Sequence, residues 1–440
     1  MTKTRDTPWV VTAEAAISAV RDVASGHGKL EITPKVHVSS LRDIATLYTP
    51  GVGVLVQRIA ADPEESETLS NRGNTIAVVT DGTAVLGFGR TGPLPAVPVM
   101  EGKAIMFKML AGLDAVPLCL DVKDPEKLTD HIAALEPSFA GFNLEDVAAP
   151  HCFSTMAALN ERLSVPAFHD DQYGTATVIV AGMMNALRVL GKRKEDLRVV
   201  VNGAGAAGTA AARLLLAWGV GEITVCDKHG ILSVKERQPF PHMDEVAART
   251  NRSGITGDLR EALKGADAFV GLSTGKLLTS AHIQSMAKDP IVFACANPEP
   301  EIMPSAALAA GAAISGSGRF DEPNQCNNVL AFPGVMRGAV DTRAKMVTET
   351  MCLAASHAIA AHVGETELRF DNILPSPLDP ELCPVVAEAV AKQAQVEGLA
   401  RRSRAPGVVA AGVRERCSFG MAQQSFLKAF KKSTAETTAA

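Results

Sequence analysis

The turn Gly203-Ala204-Gly205-Ala206-Ala207-Gly208 constrains the fold more than any other stretch of this chain. A strand-like run, Arg198 to Val201 (RVVV), enters it, and a helical run, Ala206 to Trp218, leaves it. Three glycines between a strand and a helix admit few alternatives. Gly203 permits a tight turn, Gly205 lets a ligand approach the backbone, and Gly208 lets the helix pack on the strand. A helix that opens this way offers free N–H groups and positive dipole to a phosphate. The next strand, Glu222 to Cys226 (EITVC), ends at Asp227, 19 residues past Gly208. An acid at that distance is placed to bond a ribose hydroxyl. The spacing predicts a dinucleotide site formed by Gly203, Gly205, Ala206, Gly208 and Asp227. Asp227 favours NAD, whereas Lys228 beside it can meet a 2′-phosphate, so NAD and NADP both stay open.

Further strands are expected at Thr75 to Thr80 (TIAVVT), Val85 to Phe88, Ala115 to Leu120, Ala268 to Gly271, Ile291 to Ala294 and Ala312 to Ser315. Helices fall between them, at Gly102 to Ala111 and Gly174 to Leu190 among others. This alternation predicts an α/β protein with a doubly wound, Rossmann-type sheet in its second half. A chain of 440 residues is long for one domain. The reading divides it into an N-terminal α/β domain (residues 1–164), a dinucleotide-binding domain (165–400) and a helical C-terminal tail (401–440). Residues 1–28 read as a helical lead-in ended by Gly26 and Gly28, and Ser433 to Ala440 as a frayed end.

Charge and cysteine usage exclude several classes. The net charge is −5 and aromatics are only 4%, which argues against nucleic acid as a partner. The eight cysteines are scattered without a C-x-x-C pair, as expected of reduced thiols in the cytoplasm. The most apolar windows carry charges (Lys108 and Asp114, or Arg188), so no membrane span is expected.

Chemistry-bearing residues cluster in loops. Glu145-Asp146 and Asp170-Asp171 are two acidic pairs on turns. Solvated turns often carry such pairs, but Asp170-Asp171 lies between apolar Val165 to Phe168 and the apolar helix from Gly174. Glu145, Asp146 and Asp171 together suit one octahedral Mg²⁺ or Mn²⁺. Asp170 reads as a neighbour that tunes a base, and His169 as a structural histidine before a ligand. Lys103 opens an apolar helix, where burial or a nearby cation can lower its pKa towards that of a base. Tyr48, one of two tyrosines, sits in Tyr48-Thr49-Pro50-Gly51 and suits an acid.

Taken in order, Y-T-P-G-V, T-D-G-T-A-V-L-G-F-G, P-V-M-E-G-K-A, F-N-L-E-D, F-H-D-D-Q-Y-G-T-A, G-A-G-A-A-G, A-N-P-E-P-E-I and N-Q-C-N-N-V-L-A-F-P-G resemble the short bacterial malic enzymes. The resemblance runs from about Gly28 to about Asp341. It implies metal-dependent oxidative decarboxylation of L-malate to pyruvate with reduction of NAD or NADP, by a homodimer. It further implies Tyr48 as general acid, Lys103 as general base, and Glu145, Asp146 and Asp171 as metal ligands. Asn297 and Asn328, with Asn327 beside them, would hold the substrate carboxylates, and Asn297 would also border the cofactor. The chain departs from the pattern at Arg90, which either grips a substrate carboxylate or stands in solvent, and after about Ala400. Three other readings compete: a malolactic-type enzyme that releases lactate, a non-catalytic NAD sensor, and an amino-acid dehydrogenase that needs no metal.

Overall fold

Two parallel sheets organise the chain. The computed structural model describes residues 13–21, 28–122 and 124–418, together with 420, 422 and 425. Gly26 and the expected frayed end at Ser433 to Ala440 lie outside the described residues; a helix at Ala13–Arg21 is described.

The first sheet contains β1 (Thr75–Thr80), β2 (Asp114–Cys119), β3 (Gly141–Leu144) and β4 (Ala167–His169), in the order β2-β1-β3-β4. Its pairings are parallel. The second contains β5 (Arg198–Asn202), β6 (Glu222–Asp227), β7 (Gly230–Ile231), β8 (Ala268–Gly271), β9 (Ile291–Ala294) and β10 (Ile314–Ser317). Its order is β10-β9-β8-β5-β6-β7, with only β7 antiparallel. The strand order reverses at β5, and in doubly wound sheets ligands bind at that crevice. The β5 run is buried from Val199 to Asn202 because helices cover both faces, which is why it reads as a continuous apolar run rather than an alternation.

The structure corrects three local expectations. Val85 to Phe88 forms no strand. It is a tight turn closed by Val85 N–H to Gly89 O at 2.9 Å, with Leu86 and Gly89 at positive φ. The last strand lies two residues later than Ala312 to Ser315, because Ala312 N–H still bonds Ala307 O at the end of the preceding helix. The helix expected at Gly102 begins at Pro93. Pro93 and Pro95 occupy its first turn, where a missing N–H costs little.

The part of the chain after residue 330 returns to the first sheet. The helix Phe332–Asp341 is buried at every residue and packs against the helices Pro93–Ala111 and Leu382–Val396. Phe332 meets Phe107 edge-on, with ring centroids 4.7 Å apart. Such a pair contributes about 0.5–1.5 kcal/mol beyond its burial. Arg401 and Arg404 donate to the carbonyls of Arg343 and Asp341 at the end of this helix. Residues 408–418 are helical and bury Val409 and Val413. Among the described residues one stretch, Asp170–Leu190, is long and apolar enough to cross a membrane, but 72% of its apolar window is buried inside the fold, as in a core helix.

Candidate active site

Lys103 lies on the inner face of the helix Pro93–Ala111, and its side chain is only 9% exposed. Its ammonium stands 2.5 Å from Asp170 Oδ2 and 3.0 Å from Glu145 Oε1. The ring of Phe332 covers it, 4.2 Å from nitrogen to centroid. Asp170 opens a single π-helical turn, Asp170–Gly174, between β4 and the core helix Thr175–Leu190. Such turns are frequent at functional sites. Gly174 makes room for Asp170, because a Cβ there would fall 1.7 Å from Asp170 Oδ1. Asn328 completes the group, donating Nδ2–H to Asp170 Oδ2 at 2.6 Å.

The second acidic pair follows β3. Glu145 is fixed by its N–H to Val79 O, and its Oε2 accepts from Asn143 Nδ2 at 3.2 Å. Asp146 has φ of 57°, a conformation that non-glycine residues adopt at a cost. Two contacts hold it: its N–H donates to Asp171 Oδ2 at 2.7 Å, and its Oδ1 accepts from Leu86 N–H at 3.2 Å. The turn at residues 85–89, expected as a strand, thus serves this site. His169 is fully buried, and burial lowers its pKa. Its Nε2 lies 3.3 Å from Val147 O, which suits a structural imidazole donating to a carbonyl.

Of these four carboxylates, Asp170 and Glu145 contact the buried ammonium, and Asp146 and Asp171 stand beside them. Burial, with like charge from Asp171, raises Asp146 to about 7. Burial also raises Asp170 to about 6, against the opposing pull of Lys103, and raises Glu145 well above the carboxylate range. Lys103 moves opposite to expectation. Burial alone would lower its pKa, but Asp170 and Glu145 together hold it above the ordinary lysine value. Beside these two carboxylates Lys103 is charged. No group of three or more His, Cys, Asp or Glu residues stands in a metal-holding arrangement among the described residues. Two carboxylate oxygens, Asp146 Oδ2 and Asp170 Oδ1, are buried without a hydrogen-bond partner. That is costly unless some cation satisfies them.

The glycine turn lines a cavity of about 710 Å³. Gly203, Gly205, Asp227, Asp258 and Ser273 are among its lining residues. Gly203 has φ of 117°, and a Cβ there would meet Leu272 O at 2.4 Å. A Cβ on Gly208 would fall 1.7 Å from Gly203 O, whereas one on Gly205 meets nothing within 4 Å. Each glycine thus has the separate reason expected of it: turn, helix packing and open approach. Ala206 begins the helix. Asp227 ends β6, and its Oδ1 accepts from His229 N–H at 2.7 Å.

The three asparagines separate. Asn328 belongs to the Lys103 group. Asn327 caps the short 3₁₀ turn after it, accepting from Val329 N–H at 3.0 Å. Asn297 precedes a cis proline, and a Cβ on Gly87 would reach its carbonyl oxygen at 2.2 Å, so the turn at residues 85–89 packs on it. Tyr48 lies apart in environment, at the end of the helix Leu41–Leu47, and is 70% exposed. Arg90 is exposed. Sequence reading overlooked Asn143 and the Phe332 cover. Both lie inside quoted blocks (F-N-L-E-D and A-F-P-G), but neither residue type signals chemistry by itself.

Comparison with known proteins identifies the family. Residues 27–160 match the family described as malic enzyme, N-terminal domain, and residues 172–395 match malic enzyme, NAD binding domain. The chain is 48% identical over 396 residues to the bifunctional malic/malolactic enzyme of Bacillus subtilis, covering 89% of this chain and 96% of that one. It is 46% identical to the NAD-dependent malic enzyme of Geobacillus stearothermophilus, covering 86% and 79%. The crystal structure of a malic enzyme from Pyrococcus horikoshii superposes with a TM-score of 0.88 at 41% identity, covering 92% and 96%. The chain therefore belongs to the malic enzymes, NAD(P)-dependent oxidoreductases with an N-terminal α/β domain and a Rossmann-type cofactor domain.

Proposed function

We propose that this chain catalyses divalent-metal-dependent oxidative decarboxylation of L-malate to pyruvate and CO₂, reducing NAD or NADP. The observation that carries the reading is the contact of buried Lys103 with Asp170 and Glu145, beside Asn328. A non-catalytic NAD sensor has no use for such a group. An amino-acid dehydrogenase does not need the acidic loops.

The donor set fits a hard cation, because it is all oxygen and leaves Asp146 Oδ2 buried without a partner. Glu145, Asp146 and Asp171 would hold Mg²⁺ or Mn²⁺. A cation held there would supply Lewis-acid polarisation of the substrate C2 oxygen and, as a like charge, would favour neutral Lys103. Lys103 then takes the C2 hydroxyl proton as hydride leaves C2 for the nicotinamide ring, giving oxaloacetate. Asp170 holds the Lys103 nitrogen in place. Asn297 and Asn328 hold the carboxylates. Loss of CO₂ leaves the enolate of pyruvate, and Tyr48 donates the proton that C3 requires.

An exposed Tyr48 is consistent with a homodimer. The helices Leu41–Leu47 and Val52–Ala61 bury none of their residues. Ile32, Leu41, Ile44, Leu47, Val54 and Val56 stand between 44% and 98% exposed. Monomers rarely leave so many large apolar side chains of two successive helices in water. A second copy covers them in our reading, and carries Tyr48 into the partner's site. All eight cysteines are unpaired, which agrees with a cytoplasmic enzyme.

The test is absorbance at the reduced-nicotinamide band with L-malate and Mn²⁺, run with NAD and with NADP, and pyruvate assayed at the end. Reduction matched by pyruvate supports the reading and fixes the cofactor. No reduction by folded, metal-loaded protein overturns it. The resemblance to a bifunctional malic/malolactic enzyme favours a second activity, so lactate is assayed in the same samples.

A further inference from the structure

Glu301 is a fully buried carboxylate outside the Lys103 group. It lies in the loop after β9, four residues past Asn297. One oxygen, Oε1, accepts from Ser273 N–H at 3.1 Å. The other, Oε2, accepts from Ala296 N–H at 3.1 Å. Ser273 belongs to the loop after β8 that lines the cofactor cavity. Ala296 immediately precedes Asn297. The two loops are also tied by backbone bonds, Leu278 N–H to Glu301 O at 2.9 Å and Lys276 N–H to Pro300 O at 3.0 Å.

The tie continues to the glycine turn. Asn202, the last residue of β5, donates Nδ2–H to Ser273 Oγ at 2.7 Å and accepts at its carbonyl from Leu272 N–H at 2.8 Å. Gly203 follows directly. The fold has been cleared for this carboxylate: a Cβ on Gly271 would fall within 2.4–2.6 Å of its carboxylate atoms. A continuous series thus runs from Asn202 through Ser273 and Glu301 to Ala296. A buried acid bonded only within its own loop would serve packing. This one adds a side-chain tie between two loops already joined by backbone bonds, and it reaches the residue next to Asn297 on one side and the lining of the cofactor cavity on the other.

We propose that Glu301 is a positioning residue that couples occupancy of the cofactor turn to the placement of Asn297, so that each ligand tightens the other. The inference rests on the malate-oxidising reading. Coupling of this kind is reciprocal and typically amounts to about 5–150-fold in affinity.

The experiment titrates the Mn²⁺-loaded enzyme with reduced cofactor, followed by its fluorescence, with and without saturating L-malate. Malate and reduced cofactor cannot react with each other, so binding alone is read. In the wild type, malate is expected to tighten reduced-cofactor binding by about fivefold or more. Glu301→Gln, nearly isosteric, puts an NH₂ group against one of the two N–H donors. It should bring the ratio close to one, while cofactor affinity without malate changes by less than about threefold. Ser273→Ala keeps Glu301 and both of its N–H bonds but removes the side-chain bond from Asn202, and should lower the ratio at least by about half. It remains a usable variant should Glu301→Gln not fold. A general loss of stability would weaken both affinities and leave the ratio intact. A wild-type ratio of one, or a ratio unchanged in either variant, overturns the proposal. Absence of malate turnover in the wild type would instead overturn the reading beneath it.

Discussion

Asp170 Oδ2 accepts from the Lys103 ammonium at 2.5 Å and from Asn328 Nδ2 at 2.6 Å, so one carboxylate oxygen joins a helix of the first half to a turn past residue 320. The proposed base and a proposed substrate ligand are thereby held by a residue that need touch neither product nor cofactor. Asp170→Asn should lower kcat by about a hundredfold or more, the scale of acid–base catalysis, with a small change in cofactor KM. Lys103→Ala should abolish malate oxidation while its melting curve stays cooperative. Steady-state kinetics with thermal denaturation check both. Normal turnover in Lys103→Ala would remove it as the base.

The exposure of Tyr48 gives a test that a single mutant cannot. Tyr48→Phe and Lys103→Ala should each be inactive as homodimers. If Tyr48 serves the partner's site, a mixed dimer contains one site with both residues intact. Mixing the two proteins, after unfolding and refolding together, should then restore a readily measured fraction of activity. No recovery, in a sample shown to contain mixed dimers, would place Tyr48 and Lys103 of one chain in one site.

Two glycines of the same turn should fail differently. Gly208→Ala drives a methyl group into Gly203 O, and overpacking of this kind costs about 1–3 kcal/mol. Its melting temperature should fall. Gly205→Ala adds a methyl group to open space, so its melting temperature should hold while reduced-cofactor binding weakens about tenfold or more, because the backbone can no longer approach a phosphate. Thermal melts and fluorescence titration separate the two outcomes.

Chelation should remove activity without unfolding the protein, and Mg²⁺ or Mn²⁺ should restore it. Asp171→Ala should abolish both activity and the response to metal. Activity that survives exhaustive chelation would dismiss the acidic loops as a metal site.

Asp114 gives a stability prediction with a defined pH window. Burial opposes its ionisation, but hydrogen bonds from Lys108, Lys35 and Asn74 outweigh this and bring its pKa down to about 2 from 3.8. A depressed carboxylate stabilises the fold fully above the unfolded value and loses this as pH falls through the folded one. Asp114→Asn should therefore cost stability at neutral pH. Because the pair is partly solvated, about 1 kcal/mol is expected rather than the full value of the shift. The difference from wild type should narrow as pH drops from about 4 towards 2. A difference that does not vary with pH would show that packing, not charge, is at work.

Local pattern determined much of this protein. Thr75–Thr80, Ala268–Gly271 and Ile291–Ala294 are strands where buried apolar runs demanded them, and the helix Ala206–Trp218 follows its glycine turn closely because Gly203 and Gly208 leave no room for a side chain. The dinucleotide cavity was legible for the same reason, since strand, turn, helix and terminal acid are contiguous in sequence. What tertiary structure alone decided depends on partners far apart in the chain. Lys103 reads as a base of lowered pKa until Asp170 and Glu145, brought in by other strands, reverse the shift. The run at Val85 to Phe88 has strand composition, but it closes on Gly89 and gives its Leu86 N–H to Asp146. Glu301 looks like one acid among several in a proline-rich loop, and only the folding of β8 beside β9 gives its two oxygens their donors. Propensity and turn chemistry act over a few residues. The charge state of a buried group and the purpose of a buried acid are set by whatever the fold places within about 3 Å of it.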